Sequence, residues 1–509
     1  MLHRVRRPTA SLCMVLLLVV NLVDCYHVTK MNAETVLSPP NGAPDMDNII
    51  GVTTKDGREI KFDQRAKVSL RDSTIVSTID RQTVIIPVSQ LQRVWIQTTD
   101  KARTTYAVIG ITIGVLAVAA AIAIATKESC PFVYSWNGTE FVFDGEPYGG
   151  AITRGLERDD YSHLEQLGAD SAGMYRLLVT NEVNETQYTN SMELMVIDHR
   201  PGARIEMDEW GNPHDVSSAV APATARDQDG RDLVKWLSAV DGKIWEPLPG
   251  IDPASGVRQE ITLTYPKPNG AKRASLVARA GTGMWGSHMI RELLQLRGGE
   301  VGAWYAAIDS DRSAQLSLRN WNIEQELYVL KLDVDEAGTW NTRGMLPGGG
   351  PFLTETRVVP LDISAVTGDS LRLRIRPPSG FWAMNSFEIS YDEAGAPISV
   401  TRVQPSTART SDDRDVLGDL GAIDDRYYAM PTTGDRASVS FVAPPLKPGT
   451  ERSIFLHTRG YYRLHLPESG PANQTALQRI TTERDGAARM AAESFARRGI
   501  AGLSVGGRN

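Results

Sequence analysis

Beyond residue 130 the chain consists mostly of short segments in which apolar and polar residues alternate. Between residues 370 and 376 three apolar residues alternate with arginines, and a period of two is typical of a β-strand that buries one face. Asn137-Gly138 lies between two aromatic and β-branched runs, which is a strong hairpin signal. The pattern predicts a mainly β protein, with a hairpin-rich domain over residues 127–200 and a β-sandwich region over 201–470.

A smaller group of β-type runs lies nearer the N-terminus. Asp56-Gly57 is a turn signal between two of these runs, and further short runs follow before residue 100. The pattern predicts a small β domain over residues 50–100, preceded by a linker over 26–49 that includes a stretch rich in Pro, Asn and Gly.

Helical periodicity is scarce. The main internal candidate is His288–Leu296, where apolar residues share one face. Leu477–Arg498 is a second candidate and is interrupted by Gly486, so we predict a helical tail over residues 471–509.

One long apolar run differs from all of these segments. Residues 104–126 carry no charge and lie between Arg103 and Lys127. A helix of that length reaches roughly 34 Å, enough for a bilayer core of about 30 Å, so the run predicts one transmembrane helix. Gly110 and Gly114 give a GxxxG spacing, which favours self-association through this helix, and chance spacing of small residues is the alternative.

The N-terminus has basic residues, then a short apolar run, then an early stop. These features predict a signal peptide over residues 1–25. Leu22-Val23-Asp24-Cys25 resembles the lipobox of bacterial lipoproteins, which implies lipid attachment at Cys25, although Asp24 stands where the lipobox has a small residue. Cleavage elsewhere and an uncleaved anchor with unmodified Cys25 are the alternatives.

These segments predict a location in a bacterial membrane, within the cell envelope. The export signal places residues 127–509 inside the cell, whereas the basic residues that flank the apolar run favour the outside. The side on which the large region lies is therefore left open.

Composition narrows the classes of partner. The chain has 509 residues and a net charge of −7, without a basic stripe interleaved with aromatic residues. Nucleic acid is therefore not expected as a partner. The chain contains 3 cysteines. Cys13 lies inside the predicted signal peptide and Cys25 lies at its end, so at most one disulfide, between Cys25 and Cys130, could form, which excludes a disulfide framework.

Motifs that would carry chemistry are weak. Gly281–Gly286 matches GxGxxG, but no second βα unit follows, so a glycine-rich turn is favoured over nucleotide binding. The sequence has no HExxH, GxSxG or P-loop motif. We therefore predict no catalytic residue, no metal site and no cofactor.

Four aromatic residues are candidates for binding a glycan, because exposed rings stack on sugar faces. They are Trp285, Trp382, Tyr461 and Tyr462. Membership of the hydrophobic core is the alternative for each.

Two resemblances extend this reading. Residues 357–391 resemble the later strands of galactose-binding-like jelly rolls, which implies a β-sandwich of that type. The segments Ser129–Tyr134 (SCPFVY), Gly145–Ile152 (GEPYGGAI), Leu156–Tyr161 (LERDDY) and Arg452–Tyr462 (RSIFLH and GYY) resemble a family of bacterial envelope proteins without an assigned activity. The second resemblance implies bacterial origin and membrane association, and no particular chemistry.

Two functions follow as hypotheses. The first is a non-enzymatic, membrane-anchored envelope protein whose β-sandwich region binds a glycan or another envelope protein, or serves assembly. The second is a carbohydrate-active hydrolase that uses acidic residues between 144 and 160, because paired carboxylates cleave glycosidic bonds.

Overall fold

The computed structural model describes residues 26–32, 46, 49–55, 59–63, 68–71, 74–79, 82–99, 131–247, 249, 256–391 and 398–506. The chain divides into two compact units, Met1–Thr105 and Tyr106–Asn509. Each unit is described by itself.

The described part of the first unit contains seven strands. They are β1 (Tyr26–Asn32), β2 (Ile49–Thr54), β3 (Glu59–Lys61), β4 (Ser69–Arg71), β5 (Thr74–Ile79), β6 (Gln82–Pro87) and β7 (Leu91–Thr99). One sheet has the order β1-β7-β2-β3, the other has the order β4-β5-β6, and neighbouring strands are antiparallel. Val52, Ile75 and Val94 are fully buried in their shared core.

The predicted linker over residues 26–49 needs correction, because its first residues form β1. Seven residues of β1 pair with β7 in an unbroken register from Tyr26↔Thr99 to Asn32↔Arg93. This pairing satisfies the backbone hydrogen-bonding groups of β1 that face β7, and a sequence window of one strand cannot reveal its partner.

Two five-stranded sheets share one core in the second unit. Their strands are β8 (Phe132–Trp136), β9 (Phe141–Gly145), β10 (Arg158–His163), β11 (Met174–Thr180), β12 (Glu185–His199), β23 (Val400–Val403), β24 (Thr407–Thr410), β25 (Tyr428–Met430), β26 (Arg436–Val442) and β27 (Glu451–Leu464). The orders are β24-β26-β11-β8-β9 and β10-β27-β12-β23, and β25 pairs with β12. Leu177, Leu194 and Phe441 are fully buried between them.

The predicted boundary at residue 200 does not separate two sheets. β12 pairs with β27 from Glu185↔Leu464 to His199↔Glu451, so strands from both sides of that boundary lie side by side. The hairpin predicted around Asn137-Gly138 is present as β8 and β9.

A second pair of sheets is built from the residues between β12 and β23. The strands are β13 (Ile205–Met207), β14 (Pro213–Asp215), β15 (Thr224–Asp227), β16 (Ile261–Pro266), β17 (Arg273–Thr282), β18 (Val329–Glu336), β19 (Thr339–Pro347), β20 (Glu355–Asp362), β21 (Ser370–Ile375) and β22 (Trp382–Ser390). The larger sheets have the orders β15-β16-β21-β18-β19 and β20-β17-β22, and β13 and β14 form a hairpin. The predicted alternation in β21 is confirmed, because Leu371, Leu373 and Ile375 are buried in the core.

Seven helices accompany these sheets in the described part of the chain. They are α1 (Val234–Leu237), α2 (Met284–Gln295), α3 (Val301–Ser310), α4 (Arg312–Gln325), α5 (Leu417–Leu420), α6 (Gln474–Thr482) and α7 (Gly486–Gly506). The prediction over His288–Leu296 corresponds to α2, and the prediction over Leu477–Arg498 corresponds to α6 and α7.

The Gly281–Gly286 segment leads from β17 into α2 as a close-packed turn. A Cβ atom at Gly283 would lie 2.3 Å from the carbonyl oxygen of Gly380, and one at Gly286 would lie 2.6 Å from Cα of Phe381. These glycines allow the helix to approach a neighbouring backbone, and Trp285 between them is buried.

The prediction of a membrane-anchored lipoprotein is overturned. No helix among the described residues is both long enough and apolar enough to cross a bilayer. The longest described helix, α7, has 21 residues but contains Arg489, Glu493 and Arg497. The segments on which the prediction depended, residues 1–25 with Cys25 and residues 104–126 with Gly110 and Gly114, lie outside the described residues.

Candidate functional site

A cavity of about 480 Å³ lies beside β10, and we call it the β10 cavity. Its walls also include the turn after β13, the last turns of α4 and the end of β19. Five carboxylates line it, namely Glu157, Asp159, Asp160, Asp208 and Glu209. Four arginines line it as well, namely Arg158, Arg319, Arg357 and Arg459.

The position of β10 explains why one short segment contributes so many of these residues. Among the described strands, β10 lies at the edge of its sheet and pairs only with β27, in the register Asp159↔Arg459 and Tyr161↔His457. Successive side chains of a strand point to opposite faces. Asp159 and Tyr161 therefore share the face of their β27 partners, while Asp160 points to the opposite face.

Asp160 is the centre of a buried network on that opposite face. Its carboxylate accepts hydrogen bonds from the backbone amides of Tyr148 (2.9 Å) and Tyr161 (3.0 Å), and from the guanidiniums of Arg158 (3.1 Å) and Arg357 (3.0 Å). Burial alone would raise the pKa of Asp160, but the positive charges of Arg357 and Arg158 outweigh it and hold the pKa below its usual value. Asp160 is therefore an ionised structural anchor.

Arg357 on β20 is held in place by one of its two terminal nitrogens. Nη2 donates to Asp160 (3.0 Å) and to Oε2 of Glu355 (2.8 Å). Nη1 has no hydrogen-bond partner among the described residues, although the side chain is only 8% exposed. A buried donor without a partner is uncommon in folded proteins and calls for an explanation.

Two acidic residues of the 144–160 region lie outside the walls of the β10 cavity and serve the fold. Burial raises the pKa of Asp144 to about 6, and its Oδ2 accepts a hydrogen bond from the backbone amide of Gln166. Glu146 is buried, which raises its pKa well above the usual value, and its Oε2 accepts from the amides of Phe352 (2.9 Å) and Leu353 (3.1 Å).

Next to the cavity-lining residues Asp159 and Tyr161, β27 carries a histidine, His457, between two carboxylates. Nε2 of His457 lies 2.9 Å from Oδ1 of Asp159, and Nδ1 lies 2.8 Å from Oε1 of Glu193. Burial lowers the pKa of His457, but these two hydrogen bonds outweigh it, so the pKa lies above the usual value. The ring stacks on Tyr161 with centroids 4.7 Å apart, which fixes this wall of the cavity.

The turn after β13 forms the rim. Asp208 accepts hydrogen bonds from the amides of Trp210 (3.0 Å) and Asn212 (2.9 Å), and it lies 3.0 Å from Nε2 of His214. Glu209 is exposed at the surface and has no hydrogen-bonding partner within the described ranges. Partial burial of its carboxyl group, reinforced by the negative charge of Asp208, raises the pKa of Glu209.

The four aromatic residues predicted to bind a glycan are buried. Trp285 and Trp382 lie in the core, where Nε1 of Trp382 donates to the carbonyl oxygen of Glu326 at 2.9 Å. Tyr461 stacks on Tyr188 with ring centroids 4.6 Å apart, and Tyr462 is 1% exposed. The structure thus gives these rings the alternative role, membership of the core, and leaves no open face for a sugar.

The sequence indicated part of the cavity. The LERDDY segment, Leu156–Tyr161, was singled out by its resemblance to a family and forms one wall. Arg357, Asp208 and Glu209 were not predicted, because each comes from a distant strand or turn and no local motif marks it. Among the described residues, no group of three or more His, Cys, Asp or Glu side chains is arranged to hold a metal ion.

Comparison with known proteins adds little to this geometry. No protein-family model matches the chain, and no curated protein matches it. The crystal structure of the GH31 α-xylosidase from Xanthomonas citri aligns with a TM-score of 0.14 and 9% identity, over 77% of this chain and 34% of that chain. The chain thus spans about a third of the length of that enzyme. A TM-score this low supports no conclusion about fold or activity.

Proposed function

We propose that residues 131–506 form a non-enzymatic binding region, a β-sandwich of the galactose-binding-like jelly-roll type, that holds a carbohydrate in the β10 cavity. The observation that carries this proposal is the mixture of five carboxylates and four guanidiniums around one space of about 480 Å³. A sugar hydroxyl donates to carboxylates and accepts from guanidiniums. The volume falls within the usual range for small-molecule sites, about 300–1,000 Å³.

The hydrogen bonds of the carboxylates favour binding over catalysis. A glycosidase needs two carboxyl groups that face the scissile bond. Asp159, Asp160 and Asp208 are each already engaged in hydrogen bonds with side chains or backbone amides of the protein. Glu157 accepts hydrogen bonds from Nδ2 of Asn190 and from the hydroxyl of Tyr427, both at 3.2 Å. Glu209 remains as a carboxylate without a partner in the described chain.

A glycan array probed with the full-length chain tests the proposal. We expect a subset of glycans to be retained, and we expect Glu209→Gln to weaken retention severalfold, because it removes the free carboxylate at the rim. Glu468→Gln is the matched control, since Glu468 is exposed and does not line the cavity. Retention of no glycan by the folded protein would exclude the proposed function.

A hydrolase is the second candidate, and the raised pKa of Glu209 is the observation that favours it. A carboxyl group whose pKa is raised holds its proton more readily and is better suited to donate it to a leaving group. Glu157, from the predicted 144–160 region, is the second carboxyl group that this mechanism would use. Incubation with a panel of nitrophenyl glycosides decides the matter, because turnover by the native chain that Glu209→Gln abolishes would establish hydrolysis, and no turnover would remove this candidate.

The resemblance to bacterial envelope proteins and the location in the cell envelope stay predictions.

A further inference from the structure

We infer that Trp210, at the rim of the β10 cavity, is the aromatic platform of the carbohydrate site, on which a sugar unit outside the cavity mouth stacks. This inference rests on the proposed function and narrows its ligand to an oligosaccharide. One unit of that oligosaccharide enters the cavity, and the next unit covers Trp210.

The exposure of Trp210 is the first argument. All 10 tryptophans of the chain lie among the described residues, and Trp210, at 64% exposed, is the one that is mostly in solvent. A large aromatic side chain left in water is unusual, because its burial is strongly favourable. The four aromatic residues predicted to bind a glycan are buried, so Trp210 offers the ring surface that they do not.

The position of Trp210 is the second argument. Asp208 and Glu209, immediately before it, line the cavity, whereas Trp210 itself does not. Gly211, immediately after it, packs on the lining residue Tyr161, since a Cβ atom at Gly211 would lie 2.6 Å from the Tyr161 ring. The backbone of Trp210 is therefore held at the rim from both sides.

The turn that carries Trp210 is ordered by its own hydrogen bonds. Besides the bonds that the Asp208 carboxylate accepts, the amides of Asp208 and Gly211 donate to the carbonyl oxygens of Asn212 and Asp208, both at 3.1 Å. Gly211 has a φ of +78°, a left-handed conformation that suits glycine. Because this backbone is already fixed, a ligand that stacks on the indole has only the side chain left to order, which lowers the entropic cost of binding.

The chemistry of the turn favours a sugar over a protein surface. The residues next to Trp210 in the turn are acidic, amide or glycine residues, whereas protein interaction sites are marked by contiguous apolar patches. Glu209, directly beside Trp210, is the carboxylate without a hydrogen-bonding partner in the described chain. An oligosaccharide combines C–H faces with hydroxyl groups, so one ligand supplies a face for the indole and a donor for the carboxylate.

The division between Glu209 and Trp210 sets the length of the ligand. The two residues are adjacent in the chain, but Glu209 lines the cavity and Trp210 does not. The unit that donates to Glu209 therefore lies inside the mouth, and the unit that stacks on Trp210 lies outside it. A glycosidic bond joins the two units across the rim.

A glycan array probed with the full-length chain tests this inference. The array carries the mono-, di- and trisaccharides of galactose, glucose, mannose and N-acetylglucosamine. We expect the di- and trisaccharides of at least one series to be retained about tenfold more strongly than the monosaccharide, as expected for one stacked ring. We expect Trp210→Ala to remove this gain and to leave retention of the monosaccharide unchanged.

Two further variants separate stacking from a general loss of exposed apolar surface. Trp210→Phe keeps an aromatic face and should restore part of the gain that Trp210→Ala removes. Val442→Ala is the matched control and should retain every glycan as the native chain does, since Val442 is also exposed, at 58%, and does not line the cavity.

Acrylamide quenching of tryptophan fluorescence gives an independent readout. Because Trp210 is the most exposed tryptophan, we expect Trp210→Ala to lose a large part of the quenchable fluorescence. The probes are galactotriose, cellotriose, mannotriose and chitotriose, each added at a saturating concentration. We expect the trisaccharide of the retained series to protect the native chain from acrylamide and to leave quenching of Trp210→Ala unchanged.

The outcomes separate the two levels of the proposal. Equal retention of mono- and trisaccharides by the native chain would overturn the inference about Trp210 and leave carbohydrate binding intact. A gain with length that persists in Trp210→Ala would also overturn it, and so would a bound trisaccharide that gives the native chain no protection from acrylamide. Retention of no glycan on the array would overturn both.

Discussion

Replacing Asp144 by asparagine is expected to stabilise the protein above pH 6 and to change little near pH 4. Asp144 is 6% exposed at the end of β9, and its Oδ2 accepts a hydrogen bond of 3.0 Å from the amide of Gln166. Burial raises the pKa of its carboxyl group from 3.8 to about 6. The unfolded chain, in which the side chain is solvated, keeps the ordinary value of about 3.9.

The magnitude follows from the difference between these two pKa values. Between about pH 4 and pH 6 the folded protein holds a proton that the unfolded chain has released, so the free energy of unfolding falls as pH rises through this window. Each pH unit corresponds to about 1.4 kcal/mol, which gives a loss of about 3 kcal/mol at neutral pH. The asparagine side chain cannot ionise and keeps an acceptor oxygen for the amide of Gln166, so the variant avoids this loss.

Urea unfolding at pH 4.0 and pH 7.5, followed by tryptophan fluorescence, measures the effect. We expect Asp144→Asn to raise the free energy of unfolding by up to about 3 kcal/mol at the higher pH only. Asp369→Asn is the control, because Asp369 is exposed. An equal difference at both pH values, or a destabilised variant at pH 7.5, would refute the reasoning, since Asp144 would then be ionised in the folded protein at little cost.

Three further predictions test the packing around the site. Gly350→Ala should lower the free energy of unfolding by about 2 kcal/mol or more, because the added Cβ atom would lie 1.9 Å from Cδ of the buried Glu146. Gly418→Ala is the control and should barely change the melting temperature, because the nearest atom to its added Cβ would be 4.0 Å away. His457→Gln should reduce stability more at pH 6 than at pH 9. The hydrogen bonds that raise the pKa of His457 stabilise the folded state while the ring is protonated, and this contribution is lost as pH rises through the raised pKa. Equal changes in melting temperature at both pH values would contradict this. Trp382→Ala should cost about 3–5 kcal/mol in urea unfolding, as expected for a fully buried indole, and an effect below about 1 kcal/mol would argue against its core position.

Local patterns were reliable where a strand buries one face. The alternation in β21 and the Asn137-Gly138 turn between β8 and β9 are present in the structure as predicted. Both signals are local, since a strand with one buried face needs only a period of two and a tight turn needs only residues that adopt its backbone angles.

Helices were predicted less completely. α2 buries a clear apolar face, including Met289 and Leu293, and its position was predicted within a few residues. α4 was missed, because Gln325 is its one buried residue and its apolar side chains are partly or fully exposed, so the helix has no buried apolar face. A helix that buries no apolar face lacks the 3.6-residue hydrophobic period by which helices are predicted.

The aromatic residues predicted to bind a glycan show that local sequence does not report burial. Trp382 and Tyr462 are aromatic residues whose sequence context does not distinguish an exposed ring from a buried one. Both lie in a core cluster whose members come from segments far apart in the chain, and Nε1 of Trp382 donates to the carbonyl oxygen of Glu326, so the structure alone places them in the core.

The sequence by itself determined that this protein is mainly β, because the alternation of apolar and polar residues is a property of each strand alone. It also marked the Leu156–Tyr161 segment that forms one wall of the β10 cavity. Only the tertiary structure brought Arg357 and the turn at Asp208 and Glu209 to that segment, since those contacts depend on how separate sheets pack. It also decided that Asp160 is an ionised anchor paired with arginines, while Nη1 of Arg357 is left without a partner among the described residues, because partners in a buried network are set by proximity in space.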